Sequence, residues 1–153
     1  MELTRPGTRA LTLWATLHHL GRTGVTELLE HYLALAAELR SRIAAHPLLE
    51  LRAGGPLPVA CFRVRTDAPD PDALHADIAQ YVQEAGRAYL ASVTHHGETI
   101  LRACICNHRT TSAVLDTLLD EVTRAVRHHE SRPSAHLPGP GSGLVRPSTH
   151  SEG

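Results

Sequence analysis

Ile100-Leu101-Arg102-Ala103-Cys104-Ile105-Cys106-Asn107-His108-Arg109-Thr110-Thr111 is the stretch whose reading decides the fold. Its first seven residues suit a β-strand, with apolar or β-branched side chains around a single arginine. The next five bring short polar groups and hydroxyls that stop a strand and open a helix. Thr110 or Thr111 can accept from the free amides of the apolar run that follows. The stretch therefore predicts a strand that delivers Arg102 to an interior face and turns at once into the last helix. The plainer reading is that Arg102 sits at a sheet edge and reaches water along its aliphatic stem.

Upstream, Tyr89 to Val93 and Thr99 to Cys106 are predicted to pair across His95-His96-Gly97-Glu98, a hairpin turn. Pro58 to Arg65 alternates, with Ala60, Phe62 and Val64 on one side and Arg63 and Arg65 on the other, as a half-buried strand does. Leu48 to Arg52 is a shorter strand, broken by Gly54-Gly55-Pro56. Asp70-Pro71 supplies an N-cap and a proline for the first helical position. The apolar stripe of Leu74, Ile78, Tyr81 and Val82 then runs to Gly86.

At the N-terminal end, Thr8 to Leu20 is predicted helical through Leu11, Trp14, Leu17 and His18, with Gly21 as its stop. Thr23 caps a second helix running through Ile43 to Pro47, about 35 Å long at 1.5 Å per residue. Such a helix should lie across a sheet, with Glu30, Glu38, Arg40 and Arg42 solvated on its outer face. The final helix carries Val114, Leu115, Leu118, Leu119, Val122 and Val126, with acids early and Arg124, Arg127 and His128 late, as its dipole favours.

These elements define an α+β fold: a small, mostly antiparallel sheet of about four strands with helices packed on one face, preceded by two helices. Residues 1–7 form a leading segment, 8–129 the folded domain, and 130–153 a tail rich in Pro, Gly, Ser and His that is expected to be disordered.

Composition narrows the function classes. The 153 residues are one domain's worth, and 42% apolar residues are enough for a core. A net charge of −1 and 3% aromatic content argue against nucleic acid or an anionic membrane as partner. No apolar run reaches membrane-spanning length and no secretory signal opens the chain. Three cysteines, an odd number, fit reduced thiols, so the expected location is cytoplasmic. All 15 residues counted as Lys or Arg are arginine; there is no lysine.

Two blocks carry a family resemblance. "LRACICNHRTT" with the amphipathic helix after it resembles the C-terminal strand-to-helix turn of the group II pyridoxal-phosphate-dependent decarboxylases, the family of glutamate and aromatic amino acid decarboxylases. "TRALTLWATLHHLGRTGVTELLEHYLALAAELRSRI" is similar to that family's Leu-x-Leu-Trp helix, glycine turn and long helix. "GRAYLASVTHHGETILRACI" fits the last hairpin, so the resemblance covers roughly residues 3 to 127 in the family's order. The family has a pair of basic residues ahead of the Trp; here Pro6 and Gly7 hold those places, between Arg5 and Arg9.

The resemblance implies the small C-terminal domain of a carboxy-lyase of amino acid metabolism, with pyridoxal 5'-phosphate as cofactor, an amino acid substrate and a dimeric parent. It implies that the large cofactor-binding domain lies elsewhere. Such an enzyme holds its cofactor as a lysine Schiff base, which a chain without lysine cannot form, so the chain alone is expected to be inactive. The resemblance also implies a role for Arg102. An arginine at the matching place in glutamate decarboxylases reaches the mouth of the active site, and a planar guanidinium donates two parallel bonds to a substrate carboxylate. The residue reading alone leaves a structural salt bridge open for Arg102.

Other chemistry is weaker. Twelve histidines include the pairs His18-His19, His95-His96 and His128-His129, but adjacent residues on a helix point to different faces and do not converge on a metal. Cys104 and Cys106 share a strand face with Arg102, near Cys61, and are read as small buried hydrophobes; no spacing completes a zinc set. Asn107 and Thr110 are expected to shape the turn. No residue is assigned as catalytic or as a metal ligand. The alternatives are a stand-alone small-molecule-binding regulatory domain and a histidine-rich metal-handling protein.

Overall fold

The computed structural model describes residues 6–131, with side chains from Ala10 onward. The order of elements is α1 (Pro6–Ala45), β1 (Leu49–Ala53), β2 (Val59–Val64), α2 (Pro71–Ala85), β3 (Ala91–His95), β4 (Glu98–Cys104) and α3 (Ser112–Ser131). The four strands form one antiparallel sheet in the order β1-β2-β4-β3. This is the α+β class expected from the sequence.

The two helices expected at the N-terminal end are present, joined end to end across a kink within α1. Gly21 is the break between them, as expected: its φ 63° and ψ −178° are non-helical, a backbone position that favours glycine. Pro6 and Gly7, expected ahead of the helix, begin it; the rest of the leading segment lies outside the described residues. At the other end α3 runs on through Glu130 and Ser131, while the remainder of the expected tail, 132–153, lies outside the described residues.

Local chemistry explains the other boundaries. Asp70 accepts from the Ala73 amide at 3.0 Å and Pro71 takes the first turn of α2, which closes at Gly86 in the left-handed conformation, φ 69°. The β3–β4 hairpin turns on His96 and Gly97, φ 50° and 81°. Positive φ at both central residues is the turn that matches strand twist. A bulge interrupts the β1–β2 ladder between Leu51 and Ala53.

All three helices lie on one face of the sheet. Leu39 and Ile43 of α1, Phe62, Val64, Leu101, Ala103 and Ile105 of the sheet side, Ile78 and Val82 of α2, and Leu115 and Val122 of α3 form one buried cluster. Arg40 and Arg42 are not merely solvated, as expected. Arg40 donates to the carbonyls of Leu57 and Val59 at 3.3 and 3.1 Å, and its stem lies against Gly54, where a Cβ would sit 2.5 Å from Arg40 Cδ. Arg42 pairs with Glu38 at 2.5 Å and with Asp116 of α3, and Glu38 accepts from Ser112 at 2.9 Å. These bonds lock α1 to the β1–β2 loop and to the start of α3.

Candidate functional site: the open face of the sheet

The sheet's second face has no helix on it. Register places Glu50 opposite Arg63, Cys61 opposite Arg102, Val59 opposite Cys104, Ala91 opposite Arg102, Val93 opposite Ile100 and His95 opposite Glu98. Because side chains alternate along each strand, these residues share the face turned away from the core.

Arg102 therefore does not enter the interior, as expected from its apolar neighbours. It is exposed, between buried Leu101 and Ala103. Alternation accounts for this: Leu101, Ala103 and Ile105 fill the helix-covered face and send Arg102, Cys104 and Cys106 to the other. Cys104 and Cys106 are likewise exposed rather than buried, and Cys61 is half-buried. Burial pushes the Cys61 thiol up from its ordinary value, partly offset by the neighbouring Arg102 guanidinium, so Cys61 is not an activated nucleophile.

The face has two electrostatic halves. On one side Arg52 pairs with Glu50 at 3.0 Å and with Glu98 at 2.6 Å, Arg63 pairs with Glu98 at 3.0 Å and Asp72 at 3.4 Å, and Asp72 accepts from the Thr99 amide at 2.9 Å. On the other, Arg102 stands among Val59, Cys61, Ala91 and Cys104. Among the described residues its guanidinium makes no hydrogen bond and no ion pair, so its fork of donors is free for a carboxylate.

The turn after β4 is built as expected at Asn107, whose side chain accepts from the Arg109 amide at 2.9 Å and whose carbonyl accepts from Thr110 at 3.0 Å. At the helix start the carbonyl of Thr111 accepts from Val114 and Leu115. His31 of α1 reaches the Thr110 carbonyl at 3.3 Å. Beside the turn lies a groove of about 400 Å³ walled by Leu39, Ala88, Tyr89, Val114 and Leu118.

Two buried polar groups escaped the sequence reading. His75 of α2 accepts from the Val64 amide through Nε2 at 2.9 Å and donates from Nδ1 to the Pro71 carbonyl, and burial lowers its pKa from 6.5. Glu121 of α3 is buried with Arg87 and Arg124 on its Oε1, while its Oε2 has no partner. No three His, Cys, Asp or Glu side chains converge to hold a metal ion among the described residues.

The fold is thus a four-stranded sheet covered on one side only, entered by a long helix and closed by another. The solved structures it resembles are group II pyridoxal-phosphate-dependent decarboxylases, and the resemblance read at the two sequence blocks is borne out. It superposes on the glutamate decarboxylase domain of a Vibrio parahaemolyticus diaminobutyrate-pyruvate transaminase and L-2,4-diaminobutyrate decarboxylase with a TM-score of 0.70 and 24% identity, covering 78% of this chain and 26% of that one. Oryza sativa TDC, solved with PLP and tryptamine, gives a TM-score of 0.70 at 17% identity, over 79% of this chain and 27% of that one. In sequence the chain is similar to the 3,4-dihydroxyphenylacetaldehyde synthase of Drosophila melanogaster, 25% identical over 114 residues. That match takes in 74% of this chain and 22% of the fly protein. No protein-family model matches.

The residues here do not fit pyridoxal phosphate. Its aldehyde needs an amine, and the sequence has no lysine. The open face offers one free guanidinium, with no acid beside it for a ring nitrogen.

Proposed function

We propose that this chain is the small C-terminal lobe of a pyridoxal-phosphate-dependent amino acid decarboxylase, completed by a large lobe that carries the cofactor and its lysine. In this reading the lobe works in the cytoplasm, the open sheet face meets the large lobe, and Arg102 receives the carboxylate of the amino acid substrate. The observation that carries the reading is the unpaired guanidinium of Arg102 on a face where Arg52 and Arg63 are both held by acids. A cation left free on an otherwise neutralised surface is suited to an anionic ligand.

The lobe's own contribution is binding and orientation. Arg102 is fixed at its root by the β2–β4 and β3–β4 ladders, so the stem leaves a rigid platform. The apolar flank of Val59, Cys61 and Ala91 keeps other hydrogen-bond acceptors away from the fork.

The test is complementation. The chain is produced alone and together with the large lobe of a relative such as the Vibrio domain, and carbon dioxide release from a panel of amino acids is measured. Activity is expected only from the pair, with Arg102→Met lowering kcat/KM by about 10-fold to 100-fold, mainly through KM. Decarboxylation by the chain alone, or an Arg102→Met pair as active as the parent, overturns the reading.

A further inference from the structure

We infer that Cys104 and Cys106 form a dithiol site on the open sheet face, which closes to a disulfide along one strand by exchange with a small-molecule disulfide. The chain has three cysteines, and all are free thiols. Buried Ala103 and Ile105 alternate with exposed Cys104 and Cys106, so the two sulfurs leave the same side of the chain with one residue between them. Positions two apart on a strand have their Cα atoms about 6.6 Å from each other, at the upper end of what a disulfide spans.

Which thiols can join is decided by how far the backbone gives. Cys61 and Cys104 both sit inside the β2–β4 ladder, Cys61 opposite Arg102 and Cys104 opposite Val59. They are diagonal neighbours, about 7 to 8 Å apart, and the ladder holds them there. Cys106 is different. The ladder's continuation ends with the Ile105 amide donating to the Pro58 carbonyl at 2.9 Å, and the next tie is the turn built on Asn107. Between those two fixed points Cys106 makes no hydrogen bond among the described residues. It is a one-residue joint, and rotation there carries its sulfur back toward Cys104.

Reactivity favours the same pair. The thiolate is the attacking species, and burial holds Cys61 in the thiol form, whereas Cys104 and Cys106 are open to a reagent. One thiolate of the pair attacks the reagent, forming a mixed disulfide and releasing one reagent thiolate. The second then attacks its neighbour's sulfur, the protein disulfide forms and the other reagent thiolate leaves. The protein gives up two electrons and two protons, and the reagent ends as two thiols. A bridge shorter than the extended strand is strained, which makes it easy to reduce and the site reversible. A large lobe seated on this face, as in the proposed function, would cover the pair, so the bridge belongs to the undocked chain. The dithiol itself does not rest on that reading.

With no lysine, the chain is cut by trypsin only after arginine, so Cys104 and Cys106 leave together in peptide 103–109 and Cys61 leaves in peptide 53–63. The reduced, folded full chain is incubated with oxidised glutathione, quenched with acid and alkylated. Titrated thiols are expected to fall from three to one, with peptide 103–109 lighter by two hydrogens and the Cys61 peptide alkylated. Excess reduced glutathione should return all three thiols. Cys61→Ser should leave bridge formation unchanged, while Cys104→Ser and Cys106→Ser should each stop at a mixed disulfide carrying one glutathione, with circular dichroism showing the fold retained. Three thiols left free, a bridge that includes Cys61, glutathione that stays on peptide 103–109 of the parent chain, or chains joined to one another, overturns the site. None of these results bears on the proposed function, which is read from carbon dioxide release.

Discussion

His75 shows at the scale of one side chain how a buried polar group can hold two elements together. Its ring spans from Pro71, on its own helix, to the amide of Val64 on β2, and both bonds need the neutral imidazole with the proton on Nδ1. Burial is the main cause of its lowered pKa, and the nearby Arg63 guanidinium works in the same direction. The folded pKa thus lies below the unfolded value of 6.5, and the unfolded chain takes up the proton first as pH falls. Its stabilisation is complete above pH 6.5 and is lost as the pH drops from there through the folded pKa. Urea unfolding at a series of pH values should show that slope, and His75→Leu should remove it while costing about 1 to 3 kcal/mol for the orphaned Val64 amide. None of this was legible in the sequence, where His75 is one histidine of twelve and its partner lies on another element. Arg102 was legible in part. Period-two alternation put it beside Cys104 and Cys106, but whether that face is inner or outer depends on which side the helices choose.

Elements were easier to read than side chains, because their signals are local. Asp70-Pro71, the alternation of β2 and the His96-Gly97 turn each specify their own conformation within a few residues. Gly21 was legible as the end of the first helix, but not that the second would follow it directly across a kink. At Gly97, φ is 81° and a Cβ would meet open space, so the cost of a side chain there is conformational alone. Gly97→Val should destabilise the fold by about 1 to 2 kcal/mol without altering the core, as read from thermal unfolding. Arg87 ties the α2–β3 loop to α3 through buried Glu121, which Arg124 of the same helix also holds. Replacing both arginines with alanine should cost about 3 kcal/mol or more, because a carboxylate is left unpaired in the interior. Adding Glu121→Leu to that double variant should restore much of the loss, since the two half-exposed guanidiniums are already gone and no buried charge remains.

At the scale of the whole molecule, the chain is a one-sided layer. Its covered face accounts for its stability, and its open face accounts for its proposed use. If the cofactor's groups lie on another lobe, pyridoxal phosphate added to the chain alone should produce no new visible absorption band and no rise in melting temperature. The edges of the layer have a consequence of their own. The bulge in β1 throws its outer rim out of step, and β3, the other rim, has five residues with serine, threonine and histidine among them. Strands this short and irregular make poor templates for an incoming strand. Crowded copies of this protein should therefore clump, if they clump, as helical particles that redissolve, and leave thioflavin dark, rather than grow into cross-β fibres.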